Sequence, residues 1–359
     1  MLRPRSVGCA ARATTRAFTA GVYDSALHAL GNTPVIRLRH MAPSGVDVFV
    51  KCEAFNPMLS TKDRLAAGLI DWAHSHKGLA SGQTVVDVVQ GSSGFGLALA
   101  CRERGNPLVA VVAADNSQRE WRRFMRFMGA KVLVSDAPES TASRVAERHG
   151  WFFAPRHRRE ANEWIHAERT GPEILRAMGS RPISHFIAPH GTGGMLRGVG
   201  RLLRDESPAT RIVVVEQDHR PHPEYEATVG PHHSWPNELL RGWTTDFEPT
   251  PIDVTLREQY VDEVVTISGH ESMLVAHDLA RKEGLFTGIS GGALAAGALR
   301  VARQAPAGSC VLTVLLDTSL FTLDTPLIQG VSAEMSAEEA RLVAEGRAPT
   351  TPTAQFTDG

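Results

Sequence analysis

The chain has 359 residues, 42% hydrophobic and 21% charged, and a formal net charge of −1. At roughly 100–200 residues per domain this length suits two domains or one large two-lobed unit, and the composition excludes global disorder. The balanced charge argues against a nucleic-acid partner, which calls for a basic excess. No apolar run approaches the roughly 20 residues that span a bilayer, so no membrane segment is expected.

Residues 1–22 carry Arg3, Arg5, Arg12 and Arg16 and no acid. That is the pattern of a transit peptide or of a disordered, loosely attached terminus. An apolar secretion core is missing there, and a cytoplasmic location is expected. From Tyr23 to Gly330 strand-like and helix-like stretches alternate. Strand Val46–Cys52 leads to helix Lys62–His74, Thr84–Val89 to Gly96–Arg104, Leu108–Val112 to Arg119–Met128, and Lys131–Val134 to Ser140–His149. A strand over Trp151–Ala154 and a helix over Pro172–Met178 follow. Then come strand His185–Ala188, helix Gly194–Asp205, strands Arg211–Glu216 and Glu263–Ile267, helices His270–Glu283 and Gly291–Gln304, and strand Cys310–Leu316. The strands are short apolar runs rich in β-branched residues. Such alternation predicts an α/β fold of mostly parallel sheets covered by helices.

Residues 217–250 break the alternation and read as a long loop dense in His, Pro and aromatic residues. His219, His222, His232 and His233 crowd this loop, but irregular spacing and neighbouring prolines argue against zinc, and no metal site is expected. Ser332–Gly359 reads as a short helix and a loose tail. The cysteines Cys9, Cys52, Cys101 and Cys310 form no CxxC pair and fit neither a zinc site nor a disulfide framework, which leaves reduced thiols.

Two glycine-rich turns and one lysine carry the chemistry. Gly191-Thr192-Gly193-Gly194-Met195 joins a strand to a helix and lacks the third glycine of a dinucleotide fingerprint. Such a turn presents backbone N–H groups and a positive helix end to an anion such as a phosphate monoester; a plain tight turn is the alternative. Lys62 opens a helix after Asn56-Pro57-Met58-Leu59-Ser60-Thr61. A cation at a positive helix end is misplaced for stability, but it suits a desolvated amine that forms an imine. Gly288-Ile289-Ser290-Gly291-Gly292 is a second turn, exposing a small hydroxyl.

These segments, in this order, resemble the pyridoxal-phosphate (PLP) enzymes of fold type II, the cysteine synthase and cystathionine β-synthase group. Gly31-Asn32-Thr33-Pro34, Gly171-Pro172-Glu173-Ile174 and Val214-Val215-Glu216 resemble further signatures of the group. The resemblance spans about Tyr23 to Leu323. It implies a two-lobed, tryptophan synthase β-like fold. Residues 23–50 and 155–330 would form the large PLP-binding lobe, 51–154 a smaller lobe with a mobile part at 92–154, and 331–359 a tail. Lys62 matches the lysine that holds PLP as an internal aldimine. Gly191, Thr192, Gly193, Gly194 and Met195 match the phosphate cradle, and Ser290 the hydroxyl that meets the pyridine nitrogen. Ser92, Ser93, Gly94, Phe95 and Gly96 match the loop that receives the substrate carboxylate. The implied activity is β-replacement on a serine- or cysteine-derived amino acid, such as O-acetylserine or O-phosphoserine, through an α-aminoacrylate. A small amino-acid substrate and a homodimer are likewise implied.

The chain also departs from the pattern. Gly94 stands where the family loop has an Asn that bonds the PLP 3-hydroxyl. His157, within Pro155-Arg156-His157-Arg158, stands where a Gln helps hold the substrate carboxylate. Leu316-Asp317-Thr318-Ser319 replaces Pro-Asp-Ser-Gly. The run Arg156–Arg159 is either a solvated patch or a receiver for an anionic group. A weaker likeness to diaminopropionate synthases rests on Asn162-Glu163 and Asp24–Leu27. These departures keep two alternatives open: a β-eliminating lyase or dehydratase of the same fold, and a non-catalytic PLP-binding paralogue.

Overall fold

A computed structural model describes residues 22–114, 119–154, 158–189, 193–218, 260–323 and 325–345. Among the described residues ten strands form two sheets. The larger contains β1 (Val35–Arg37), β2 (Asp47–Cys52), β7 (His185–Pro189), β8 (Arg211–Gln217), β9 (Glu263–Ile267) and β10 (Cys310–Leu315), in the order β1-β2-β10-β7-β8-β9. The smaller contains β3 (Val85–Val88), β4 (Leu108–Ala113), β5 (Lys131–Ser135) and β6 (Phe152–Phe153), in the order β5-β4-β3-β6. Only the β1–β2 pair is antiparallel; the other described pairs are parallel. Parallel neighbours need crossovers, and helices supply them.

The helices of the smaller sheet's region are α1 (Lys62–His76), α2 (Ser92–Glu103), α3 (Arg119–Phe127) and α4 (Pro138–His149). Next come α5 (Arg158–Ile165), α6 (Gly171–Met178), α7 (Gly194–Glu206), α8 (Gly269–Asp278) and α9 (Ile289–Gln304). The central strands are buried along nearly their whole length, as sheets covered on both faces demand. Val48, Val50, Ile187, Val213, Val215 and Val311 share one core with the alanine-rich α9. Val85, Ala110 and Val112 share another with α1 and α2. Gly297 lets α9 lie on the sheet, since a Cβ there would meet Val215.

Several boundaries differ from the sequence expectation. Helix α2 begins at Ser92, four positions before the expected Gly96. Gly94 and Gly96 lower intrinsic helix propensity, but packing overrides it: a Cβ at Gly96 would lie 2.9 Å from the Lys62 carbonyl oxygen, so α2 can cross α1 closely only here. Strand β1 was not expected, being three residues at a sheet edge. The strand expected over Trp151–Ala154 shortens to two residues. Helix α5 was anticipated only as a helix start near Asn162; it joins α6 through a π-turn at His166–Thr170. A second π-turn, Leu279–Glu283, ends the helix expected over His270–Glu283. Ala337–Glu345 forms a short helix with no buried residue. The His-rich stretch 219–259 lies outside the described residues. Cys52, Cys101 and Cys310 are buried free thiols, and burial raises the Cys52 and Cys310 thiols to about 12 and about 11. Among the described residues no helix is long and apolar enough to cross a membrane.

Candidate active site

Ligand sites in open α/β sheets form beyond the carboxyl ends of the strands. Here four helix N-termini gather at that edge, those of α1, α2, α7 and α9. Strand β10 runs into Leu316, whose carbonyl accepts from the N–H of Thr61, the residue before Lys62 (2.8 Å). The N–H of Lys62 donates to the Ser60 hydroxyl at 3.2 Å. The start of α2 crosses Lys62 at Gly96. On the other flank, Gly68 of α1 meets Ile165 of α5, and Asn162 and His166 meet the first turns of α7 at Gly194 and Gly198. Asp317, just past β10, accepts the backbone N–H of Gly288, which caps α9. None of the four N-cap residues caps its own helix through its side chain, whereas Ser268 caps α8 with its hydroxyl. First-turn N–H groups have no partner within their own helix, so the gathered ends form a donor-rich, positive surface.

Lys62 is the first residue of α1, and Ser290 is the second residue of α9 and half-buried. Gly193 adopts φ +71°, a left-handed turn that favours glycine, and leads into Gly194 and Met195 at the start of α7. A Cβ on Gly194 would collide with the Asn162 amide. Gly191, Thr192 and His157 lie outside the described residues.

Ser92, Ser93, Gly94, Phe95 and Gly96 form the first turn of α2 rather than a loop ahead of it. The Ser93 hydroxyl is engaged locally, donating to the Gln90 carbonyl at 2.7 Å and accepting the Gln90 N–H at 3.1 Å. A Cβ on Gly94 would lie 2.6 Å from Met125 Sδ, so the missing Asn cannot be restored without moving Met125. Phe95 packs among Trp121, Phe124 and Phe321, with ring centroids 4.9, 5.5 and 6.0 Å away.

Behind Lys62 lies a charged cluster that the sequence reading did not single out. Arg64 donates to Glu53 through Nε (2.5 Å) and to Glu173 through Nη1 (2.9 Å) and Nη2 (2.7 Å). Lys51 donates to Glu173 Oε2 at 2.9 Å and to the Thr33 carbonyl at 3.1 Å. The Thr33 hydroxyl donates to Glu53 at 2.7 Å, and Asn56 Nδ2 donates to Glu53 at 2.9 Å. Lys51 and Glu53 are fully buried and Arg64 is 1% exposed. Burial alone would raise both carboxyls. The Arg64 charge and hydrogen bonds, with Lys51, instead hold Glu53 below the carboxylate range and Glu173 at about 2. Burial lowers the Lys51 amine despite Glu173 and Glu53. His166 is pushed down to about 3 by burial and by Arg64; its Nδ1 lies 2.8 Å from Thr170 Oγ1.

Beside Lys62 in the chain, and at Asp317, the bonding is incomplete. Thr61 Oγ1, Asp63 Oδ1 and Asp317 Oδ1 are shielded from water without a hydrogen-bond partner. Burial raises the Asp63 carboxyl to about 7, against a bond from the Met58 N–H (2.6 Å). It raises Asp317 to about 6, against the Gly288 N–H and the Lys62 charge. Such orphaned atoms are rare in a folded chain and mark places where another molecule completes the bonding. An aldehyde bearing a phosphate fits this arrangement. The amine of Lys62 can meet the aldehyde, and the α7 turn, where glycines keep Cβ atoms away, can meet the phosphate.

Comparison with known proteins agrees. Residues 26–317 match the family model described as pyridoxal-phosphate dependent enzyme. The O-ureido-L-serine synthase of Streptomyces lavendulae is 34% identical over 316 residues, covering 86% of this chain and 94% of that one. A cysteine synthase of Staphylococcus aureus is 32% identical over 311 residues, covering 85% and 96%. The crystal structure of O-ureido-L-serine synthase superposes with TM-score 0.78 at 34% identity, over 90% of this chain and all (100%) of that one. That of an O-acetylserine dependent cystathionine β-synthase from Helicobacter pylori gives 0.72 at 26%, over 85% and 98%. With a family match across both sheets and a lysine at the edge where helix ends gather, the chain belongs to the pyridoxal-phosphate dependent enzymes of fold type II, whose cofactor is pyridoxal 5'-phosphate.

Proposed function

We propose that this chain is a transferase that carries out β-replacement on an activated L-serine, such as O-acetylserine or O-phosphoserine. The product is cysteine or a non-standard amino acid of the O-ureido-L-serine kind. The observation that carries this reading is Lys62 at the meeting point of four helix ends whose N-cap residues do not cap through their side chains. When bound, the cofactor supplies electron withdrawal from the substrate α-carbon. Lys62 would hold it through the aldehyde and, once free, would take the substrate α-proton as general base. Backbone N–H groups at Gly193, Gly194 and Met195, with Gly191 and Thr192, receive the phosphate. The Ser290 hydroxyl would hold the ring nitrogen; a neutral partner there would leave that nitrogen largely unprotonated, which would suit loss of a β-substituent. The start of α2, Ser92–Gly96, receives the substrate carboxylate at a positive helix end, with His157 as a second contact.

The same reading makes 51–154 a smaller lobe, its part 92–154 closing on the larger lobe formed by 23–50 and 155–330. Phe95 and Trp121 against Phe321 give that closure an aromatic contact across the cleft. It also expects a homodimer acting in the cytoplasm, and sedimentation tests the dimer. The central test is borohydride reduction and peptide mapping. A pyridoxyl group on the Lys62 peptide, absent in Lys62→Ala, is expected; adduct elsewhere overturns the reading. Supplied with O-acetylserine, the protein should consume sulfide or hydroxyurea, the latter because its oxygen on the β-carbon gives O-ureidoserine. Keto acid released without a second nucleophile would instead mark a lyase.

A further inference from the structure

Asp317 has no part in the reading above, which assigns Lys62, Ser290 and the helix ends. It stands at the end of the central strand β10, between α1 and α9. The Gly288 N–H binds its carboxyl, and the Thr287 hydroxyl donates to its backbone carbonyl at 3.2 Å. Ser319 in turn donates to the Thr287 carbonyl at 2.6 Å, so the segment is fixed from both sides. A Cβ on Gly288 would lie 2.6 Å from Asp317 Oδ1, so this glycine is what leaves the carboxyl its place. Oδ1 is shielded from water and has no partner. Among the described residues, Lys62 is the charged group that acts on Asp317. The residues before the two are bonded, Thr61 N–H to the Leu316 carbonyl at 2.8 Å, and the Lys62 charge acts on Asp317 and on His166 of the π-turn, which burial holds neutral. A buried carboxylate oxygen without a donor is costly, and an ammonium is the donor that would balance it.

We propose that Asp317 is a positioning residue for Lys62: its open Oδ1 holds the protonated ε-amine whenever that amine is not bonded to the cofactor aldehyde. The bond is a charge-assisted N–H···O, and no covalent bond changes. Its role is to keep the released amine parked within the site instead of turning to solvent. The proposal rests on the assignment of Lys62 as the cofactor lysine but does not need the cofactor to be tested.

The full-length chain, freed of cofactor with hydroxylamine, is labelled with an amine-acylating reagent across a pH series, and Lys62 is followed by peptide mass mapping. An anionic partner within about 4–6 Å typically moves a titration by one to three units. Asp317→Asn should therefore shift the Lys62 profile to lower pH and raise its labelling at pH 7 about tenfold or more. Gly288→Ala, which crowds the carboxylate without removing its charge, should shift it the same way by less. Lys282, paired with Asp278 on the surface at 2.8 Å, should label equally in all three proteins. A Lys62 profile that stays on the wild-type curve in folded Asp317→Asn, or in Gly288→Ala if the first variant does not fold, overturns the proposal. A chain that takes up no reducible cofactor on Lys62 speaks against the functional reading alone, because the acylation profile still reports on Asp317.

Discussion

Arg64 and Asp63 follow Lys62 on the same helix, yet their surroundings differ in kind. Arg64 meets Glu53, Glu173 and Thr33 in a cluster whose charges are matched and multiply bonded. The Asp63 carboxyl is held only by backbone N–H groups, of Met58 and Ser60, and its Oδ1 is without a partner, as are Thr61 Oγ1 and Asp317 Oδ1. Buried polar groups are normally satisfied, so the first region is scaffold and the second is a surface prepared for something else. The lesson concerns where rigidity is placed. Lys62 directly precedes Asp63 and Arg64 on α1, with the ionic cluster formed from Arg64 on and partnerless oxygens at Thr61 and Asp63.

The comparison is broken most directly by Arg64→Ala, which strands two buried carboxylates. It should cost about 3–5 kcal/mol in denaturant unfolding; a loss below about 1 kcal/mol would place the cluster with ordinary surface pairs. A pH series sharpens the contrast because the two sides have opposite signs. Glu173 is held at about 2, below its free value of 4.5, so its contribution is present above 4.5 and drains away as pH falls toward 2. Glu173→Gln should lower stability at pH 7 and flatten the acid limb. Asp63 is raised from 3.8 to about 7, so its contribution is present below 3.8 and is lost as pH rises through 7. Asp63→Asn should raise the stability of the cofactor-free chain at pH 8 by about 2–4 kcal/mol, with no gain below pH 4. Urea midpoints across pH measure both.

Gly194→Ala comes next. Its Cβ would overlap the Asn162 amide, an overpacking worth about 1–3 kcal/mol by thermal unfolding, and Asn162→Ala in the same chain should recover most of it. The smallest effect is expected at Arg37, whose ion pair with Asp47 at 2.5 Å joins side chains 60% and 40% exposed. Solvent screening leaves Arg37→Ala a change under about 1 kcal/mol in the same assay.

The sheet strands were legible in the sequence because buried parallel strands are continuous apolar runs, and the helix start at Lys62 was legible from the turn Asn56–Thr61 ahead of it. The four-charge cluster was not, since Glu173 lies 109 positions from Arg64 and each charge alone reads as a surface residue. One signal was present: Lys51 interrupts the otherwise apolar run Val48–Cys52, and a strand buried on both faces cannot leave a lysine unpaired. The motifs around Thr33 and Glu173 were noticed only as likenesses. The structure gives them a cause, because both supply partners to Arg64 and Lys51. The start of α2 was misread because glycine propensity is local, while the contact that requires Gly96 comes from α1. Asp317 was noted only as a departure in sequence; its shielded oxygen is a property of three segments at once.

The wide turn at His166–Thr170 works as a phase shifter in an otherwise continuous run of helix. Upstream of it Asn162 is addressed to Gly194 at the start of α7; downstream, Glu173 is addressed to Arg64 and Lys51. At 3.6 residues per turn, excising a single residue would restore uniform pitch and swing one half against the other by about 100°. Point changes in this run are open to compensation by neighbours, but a one-codon deletion would aim one of the two addresses at the wrong wall.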